Sequence, residues 1–282
     1  MMADWLYNNR LTQQYYLHND IITKNLIRSI KIIMSHNLFI KYKKHKIDFD
    51  KIKNVKDETY IYLHVSDDIL YINFNHYYCD GYSLFYIAEK ISKVYYNENV
   101  DCKIKTSYKS YDLVKSCKNT LDLMSNATLR DMSCYLYDII YPSTRNKTYY
   151  IKKTLIQNYS NSEIIKYICK KLKINEFCLI VNLRKLFPEY NDCLDNMIYV
   201  TDNININESI KDVISRDKNK SIKELKNKLH KRSTIINSFL GFKKPKILKG
   251  HDVTTSNYIG NSITIYSKEC NKDYIVFKYI SK

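Results

Sequence analysis

The chain has 282 residues, 45% of them hydrophobic and 27% charged, enough for a large globular core and too evenly mixed for a disordered or collagen-like protein. It carries a formal charge of +17 and holds 28 tyrosines but only 4 glycines. The eight cysteines include no Cys-x-x-Cys and no zinc-spaced Cys/His cluster, and no run of about 18 apolar residues could span a bilayer, so metal-finger and transmembrane classes drop out. Reduced cysteines within apolar runs, with no charged-then-apolar leader at the start, imply an intracellular, reducing, cytoplasmic location. The charge has two readings: an anionic partner such as nucleic acid or a membrane surface, or lysine enrichment spread over a solvated face. Codon bias explains the latter, because codons for Lys, Asn, Ile and Tyr are rich in A and T.

In chain order, Trp5 to Tyr16 reads as a strand or irregular segment packed on the body. Asn19 or Asp20 is placed to cap a helix from Ile21 to about Ser35, with Ile22, Leu26, Ile30 and Ile33 on one face. Leu38, Ile40 and Tyr42 alternate as a short strand. Tyr60 to Val65 and Ile69 to Asn75 form two strands joined by Ser66-Asp67-Asp68, a hairpin signal. The stretch Asn75-His76-Tyr77-Tyr78-Cys79-Asp80-Gly81 follows, and then Leu84, Ile87, Ala88, Ile91, Val94 and Tyr95 fall at helical spacing. A histidine at a strand end is held by the sheet and titrates near neutrality, which suits a general base. Its alternative is a histidine in an ordinary turn, and the alternative for Asp80 is a helix cap.

Leu121 to Tyr141 could carry one or two helices, broken at Pro142. Tyr149 to Ile156 reads as a strand, and Ser160-x-x-Glu163 as a capping box before Ile164, Ile165, Ile168 and Leu172. Glu176 to Leu183 is a buried strand, and Asp195 to Val200 another. Ser221-x-x-Glu224 predicts a long helix through Leu225, Leu229, Ile236 and Phe239 to a stop at Gly241. Ile263 to Tyr266 and Tyr274 to Tyr279 are strand-like, while His230 and His251, in basic contexts, read as surface residues. The sequence holds no phosphate-binding Gly-rich loop, no His-Glu-x-x-His and no Gly-x-Ser-x-Gly.

The strand, His-x-x-x-Asp-Gly, helix order resembles the motif of the acyl-CoA-dependent acyltransferases, the superfamily of chloramphenicol acetyltransferase, the plant BAHD enzymes, alcohol and wax-ester acyltransferases and peptide-synthetase condensation domains. Val181-Asn182-Leu183-Arg184, with Pro188 and Asp195-Asn196 after it, is similar to the second-half pattern of the same superfamily. The resemblance implies an α/β chloramphenicol acetyltransferase-like fold, α+β layered, with two pseudo-similar lobes of mixed sheet flanked by helices, at residues 1–145 and 146–282, forming together one compact unit. It implies His76 as catalytic base at their junction, Asp80 and Gly81 in structural roles, and Arg184 paired with Asp80. Thr255, Ser256 and Asn257 are its candidate oxyanion or substrate contacts, with a polar strand as their alternative. Acyl-CoA is the implied co-substrate, the acceptor a small molecule or macromolecule, and neither a metal nor a tightly bound cofactor is needed. A basic channel mouth would attract the phosphates of coenzyme A.

The chain departs from the family in its short length, in lacking Asp-Phe-Gly-Trp-Gly, in Asn75 at the place of a first histidine and in Asp195 at the place of a glycine. These departures fit a second reading: a catalytically inactive copy of the fold repurposed to bind protein or nucleic acid.

Overall fold

A computed structural model describes residues 10–45, 60–75, 79–106, 145–194, 197–226, 234–241, 243–252, 261–266 and 274–281. Two compact units are present, each assembled from separate stretches of chain. The first combines Met1–Ser110, Glu189–Met197 and Phe242–Ser256; the second combines Tyr111–Pro188, Ile198–Gly241 and Asn257–Lys282.

The first unit begins with strand β1 (Arg10–Leu17), in which Gln13, Tyr15 and Leu17 are buried and alternate with half-buried neighbours. Helix α1 (Thr23–His36) buries Leu26, Ser29, Ile30 and Ile33. It is not capped by Asn19 or Asp20. Those residues sit in a tight turn, closed by the Ile21 N–H donating to the His18 carbonyl, and Ile22 takes the cap position without a side-chain cap. The Ile22 N–H instead donates to the Tyr95 hydroxyl at 2.9 Å. Ile22 and Leu38, expected to face inward, are exposed.

Strands β2 (Ile40–Tyr42), β3 (Ile61–Ser66) and β4 (Ile69–Asn75) follow, and then helix α2 (Gly81–Tyr95). Asp67 and Asp68 adopt φ of 50° and 58°, the two successive left-handed residues of a type I′ turn, so the predicted hairpin forms with a two-residue loop, Ser66 joining β3 rather than the connection. Helix α2 buries Leu84, Ile87, Ala88 and Ile91 of the predicted apolar stripe, and Phe85 besides, while Val94 and Tyr95 are half-buried.

The second unit opens with β5 (Arg145–Lys152) and α3 (Asn161–Lys171). The capping box forms: the Ser160 N–H donates to the Glu163 carboxylate at 2.7 Å, and the Glu163 N–H to the Ser160 hydroxyl at 3.4 Å. These bonds hold the Glu163 carboxyl below the usual range. Strands β6 (Glu176–Asn182), β7 (Ile198–Val200) and β8 (Ile204–Asn205) come next. After them stand helix α4 (Ile210–Asp217), capped by Ser209, and the short α5 (Ile222–Lys226).

The long helix expected from Ser221 to Gly241 does not form. The Ser221–Glu224 cap is present, but α5 covers only five residues, and β9 (Thr234–Ser238) is a strand. Thr234, Ile235 and Ile236 are β-branched and lie between two parallel partners, where packing outweighs the helical spacing of a few apolar residues. Strand β10 (Leu248–Asp252) returns to the first unit, and β11 (Ser262–Tyr266) and β12 (Tyr274–Ser281) complete the second.

The first unit's sheet has the order β10-β1-β4-β3-β2, antiparallel except for the parallel β2–β3 pair. The second unit's sheet runs β5-β12-β11-β9-β6-β7, with β8 also on β6 and the β11–β9 and β9–β6 pairs parallel. The sequence places no strand at 248–252, because Leu-Lys-Gly-His-Asp lacks alternation. Its partner is β1, more than 230 residues away, with Tyr15 opposite His251. His251 is therefore buried, edge-to-face against Phe85 at 4.9 Å, not the surface residue its basic neighbours suggest.

Candidate active site

The His-x-x-x-Asp-Gly stretch joins the last residue of β4 to the first residue of α2. His76, Tyr77 and Tyr78 lie outside the described residues, and both ends of the loop are defined. The Cys79 N–H donates to the Asn75 carbonyl at 3.3 Å, and Asn75, Cys79 and Asp80 are all buried. Asn75 ends the strand paired with β1 through Arg10, so a rigid ladder leads directly into the loop.

Asp80 is the N-cap of α2 and is fully buried. Its Oδ1 accepts from the Ser83 N–H at 2.9 Å and from the Ser83 hydroxyl at 3.0 Å. Its Oδ2 accepts from the Met197 N–H at 2.8 Å. A carboxylate without water is costly unless donors surround it, and here they are the helix N-terminus, a hydroxyl and a distant amide. The cap role and a bracing role thus belong to one side chain.

Met197 ends a segment from the second half of the chain that is stitched into the first unit. The Leu194 N–H donates to the Lys105 carbonyl at 2.9 Å beside a parallel bridge between Lys105 and Cys193. The Cys79 thiol donates to the Leu194 carbonyl at 3.7 Å. Asp195 and Asn196 lie between these contacts and outside the described residues. Lys105, Leu194 and Met197 escaped the sequence reading, because a backbone contact leaves no side-chain signature.

Arg184 lies in the second unit, in the 3-10 turn Leu183–Lys185 that ends β6. It is buried, with 2% of its surface exposed. The Asn182 side-chain oxygen accepts from the Arg184 N–H at 3.0 Å and from its guanidinium at 3.3 Å. The Asn-Leu-Arg run therefore acts locally: the asparagine caps the turn and orients the arginine. Asp80 belongs to the first unit and Arg184 to the second.

Thr255, Ser256, Asn257 and His230 also fall outside the described residues. Among those described, Cys79, Cys102, Cys169, Cys178 and Cys193 are in no disulfide, and burial pushes Cys169 up to about 12. No group of three or more His, Cys, Asp or Glu residues among them could hold a metal ion, and none of their helices is long and apolar enough to cross a membrane.

No protein-family model matches the chain, and no curated protein matches it in sequence. Solved structures do match in three dimensions. VibH, a peptide-synthetase condensation enzyme, superposes with a TM-score of 0.61 at 12% identity, over 98% of this chain and 85% of its own. The chain has the chloramphenicol acetyltransferase-like fold. The first condensation domain of the CDA synthetase superposes at 0.58 and 6% identity, over 100% of this chain and 88% of its own. An F. graminearum protein complexed with coenzyme A and T-2 mycotoxin gives 0.53 and 10%, over 99% and 92%. At these identities the likeness is one of fold. Within this acyltransferase-like fold, the β4–α2 connection carries the motif, and the resemblance read from His-x-x-x-Asp-Gly and the architecture agree.

Proposed function

We propose that the protein is an acyltransferase, moving an acyl group from acyl-CoA to a hydroxyl or amine acceptor. The observation that carries this reading is the seating of His-x-x-x-Asp-Gly. A buried, triply bonded Asp80 anchors the C-terminal end of the segment whose sequence carries His76, and strand β4 ends at Asn75 just before it, in a fold shared with condensation enzymes. The F. graminearum neighbour complexed with coenzyme A supports the donor.

His76 is the general base. It takes the proton from the acceptor as the acceptor oxygen or nitrogen attacks the thioester carbonyl carbon. The carbon–sulfur bond of the tetrahedral adduct then breaks, and the imidazolium returns the proton to the departing coenzyme A thiolate. No acyl-enzyme forms. Thr255, Ser256 and Asn257 are the candidate donors to the oxyanion. Asp80 holds the loop rather than touches the reacting atoms.

The test is thiol release from acetyl-CoA and longer acyl-CoAs, with and without an acceptor panel, for wild type and His76→Ala. Turnover falling on the order of 10²–10⁴-fold in the variant, with unchanged thermal unfolding, is the expected result. Wild-type turnover matched by His76→Ala, or no acyl-CoA binding at all, rejects the reading.

A further inference from the structure

We propose that Lys90 of α2, together with Tyr86 and Asn37, is a positioning residue for the acyl-transfer site: it fixes the course of residues 101–105, and these hold the segment that closes on Asp80. Lys90 lies within α2 and is only 7% exposed. Its ammonium donates to the Asp101 carbonyl and, at 3.3 Å, to the Lys103 carbonyl, and it stands 5.1 Å from the centre of the Tyr86 ring. A buried ammonium is costly, and an apolar side chain would fill the place at lower cost. What the lysine supplies is direction, because two alternate carbonyls of one segment are drawn to one helix. Asn37, buried at the C-terminus of α1, takes the groups between them. Its amide nitrogen donates to the Cys102 carbonyl at 2.8 Å and to the Ile33 carbonyl at 2.7 Å, and its oxygen accepts from the Ile104 N–H at 2.9 Å. One amide thereby offers the segment the donor and acceptor that a neighbouring strand would offer. Residues 101–104 are held by side chains from both α1 and α2.

The next residue passes this order on. Lys105 bridges to Cys193, and its carbonyl accepts from the Leu194 N–H. Tyr86 makes a second tie to the same segment: its hydroxyl donates to the Asp192 carboxylate, and burial together with that charge pushes the hydroxyl well up. At the far side the Cys79 thiol donates to the Leu194 carbonyl, and Asp80 accepts from the Met197 N–H. Lys90 and Tyr86, one helical turn apart, thus reach by two paths the segment that holds Cys79 and Asp80, three and four residues after His76 in the motif. All of these residues belong to the first unit. A general base works only from the right place, and a misplacement of about 1 Å from a change far from the chemistry can cost on the order of 10²-fold in rate.

The inference rests on the acyl-transfer reading for its consequence, and the experiment separates the two. Amide hydrogen exchange of the full chain is followed in wild type, Lys90→Met and Tyr86→Phe, beside thiol release from acyl-CoA. Lys93→Met, on the same helix and paired with Glu89, is the control and should change neither. In Lys90→Met, exchange at the Ser83, Leu194 and Met197 amides should speed up at least about tenfold while the amides of the β3–β4 ladder keep their rates. In the same variant kcat should fall about tenfold or more with KM for acyl-CoA held within about twofold. Tyr86→Phe removes only the tie to Asp192, should move the same quantities the same way by less, and decides the matter if Lys90→Met does not fold. Exchange that speeds up by one factor across the whole unit, which a merely stabilising residue would give, overturns the proposal. So does unchanged exchange at these three amides, or an unchanged kcat in an active enzyme. A wild type that releases no thiol rejects the acyl-transfer reading instead, and the exchange pattern still decides whether Lys90 positions the segment.

Discussion

Asp80 shows how one side chain serves two masters in the chain. Locally it caps α2, a role set by its place one residue before Gly81 and three before Ser83. At long range it accepts from Met197, 117 residues away. Its replacement by alanine leaves the Ser83 and Met197 amides buried without an acceptor. We expect Asp80→Ala to lower unfolding free energy by about 3 kcal/mol, and Ser83→Ala by only about 1. Urea denaturation measures both, and a loss below about 1 kcal/mol for Asp80→Ala would show that the Met197 bond carries no weight. The cap was legible in the sequence; the Met197 bond was not, because backbone amides look alike in every residue. The same holds for His251, whose lysine and aspartate neighbours suggested solvent. Its neighbours in space are Phe85 and Tyr15.

At the scale of elements, local chemistry decided several features whose partners lie within a few residues, though the expected Asn19 or Asp20 cap of α1 gave way to Ile22. The hairpin turn is one case. Asp67 and Asp68 occupy left-handed backbone at a steric cost that Asn-Gly would relieve. Asp67→Asn with Asp68→Gly should therefore raise stability by about 1 kcal/mol, read as an increase in Tm; a decrease would mean that the Ser66–Asp67 bond outweighs the strain. The capping boxes at Ser160 and Ser221 also formed as read. What followed the second box did not. Leu225, Leu229, Ile236 and Phe239 can be laid on a helix, yet Ile236 belongs to a strand between β6 and β11. Periodicity over so few apolar residues is ambiguous, and β-branched Thr-Ile-Ile was the available counter-signal. A strand flanked on both sides is also more sensitive to truncation than an amphipathic helix end. Ile236→Ala, at a fully buried site, should cost about 3 kcal/mol in urea denaturation, and a cost under about 1 would argue against central burial.

Across the whole molecule, the two units are woven from alternating stretches of one chain: segments 189–197 and 242–256 leave the second half to complete the first unit. By itself the sequence determined the caps at Asp80, Ser160 and Ser221, the β3–β4 hairpin, the strand–motif–helix order around His76 and the fold family to which that order points. Each depends on residues close enough along the chain to meet in any compact state. Only the tertiary structure decided that 234–238 is a strand, that β10 closes on β1, and that Asp80 holds Met197. Those partners are brought together by burial and backbone pairing across long loops, and neither interaction leaves a period or a motif in the chain.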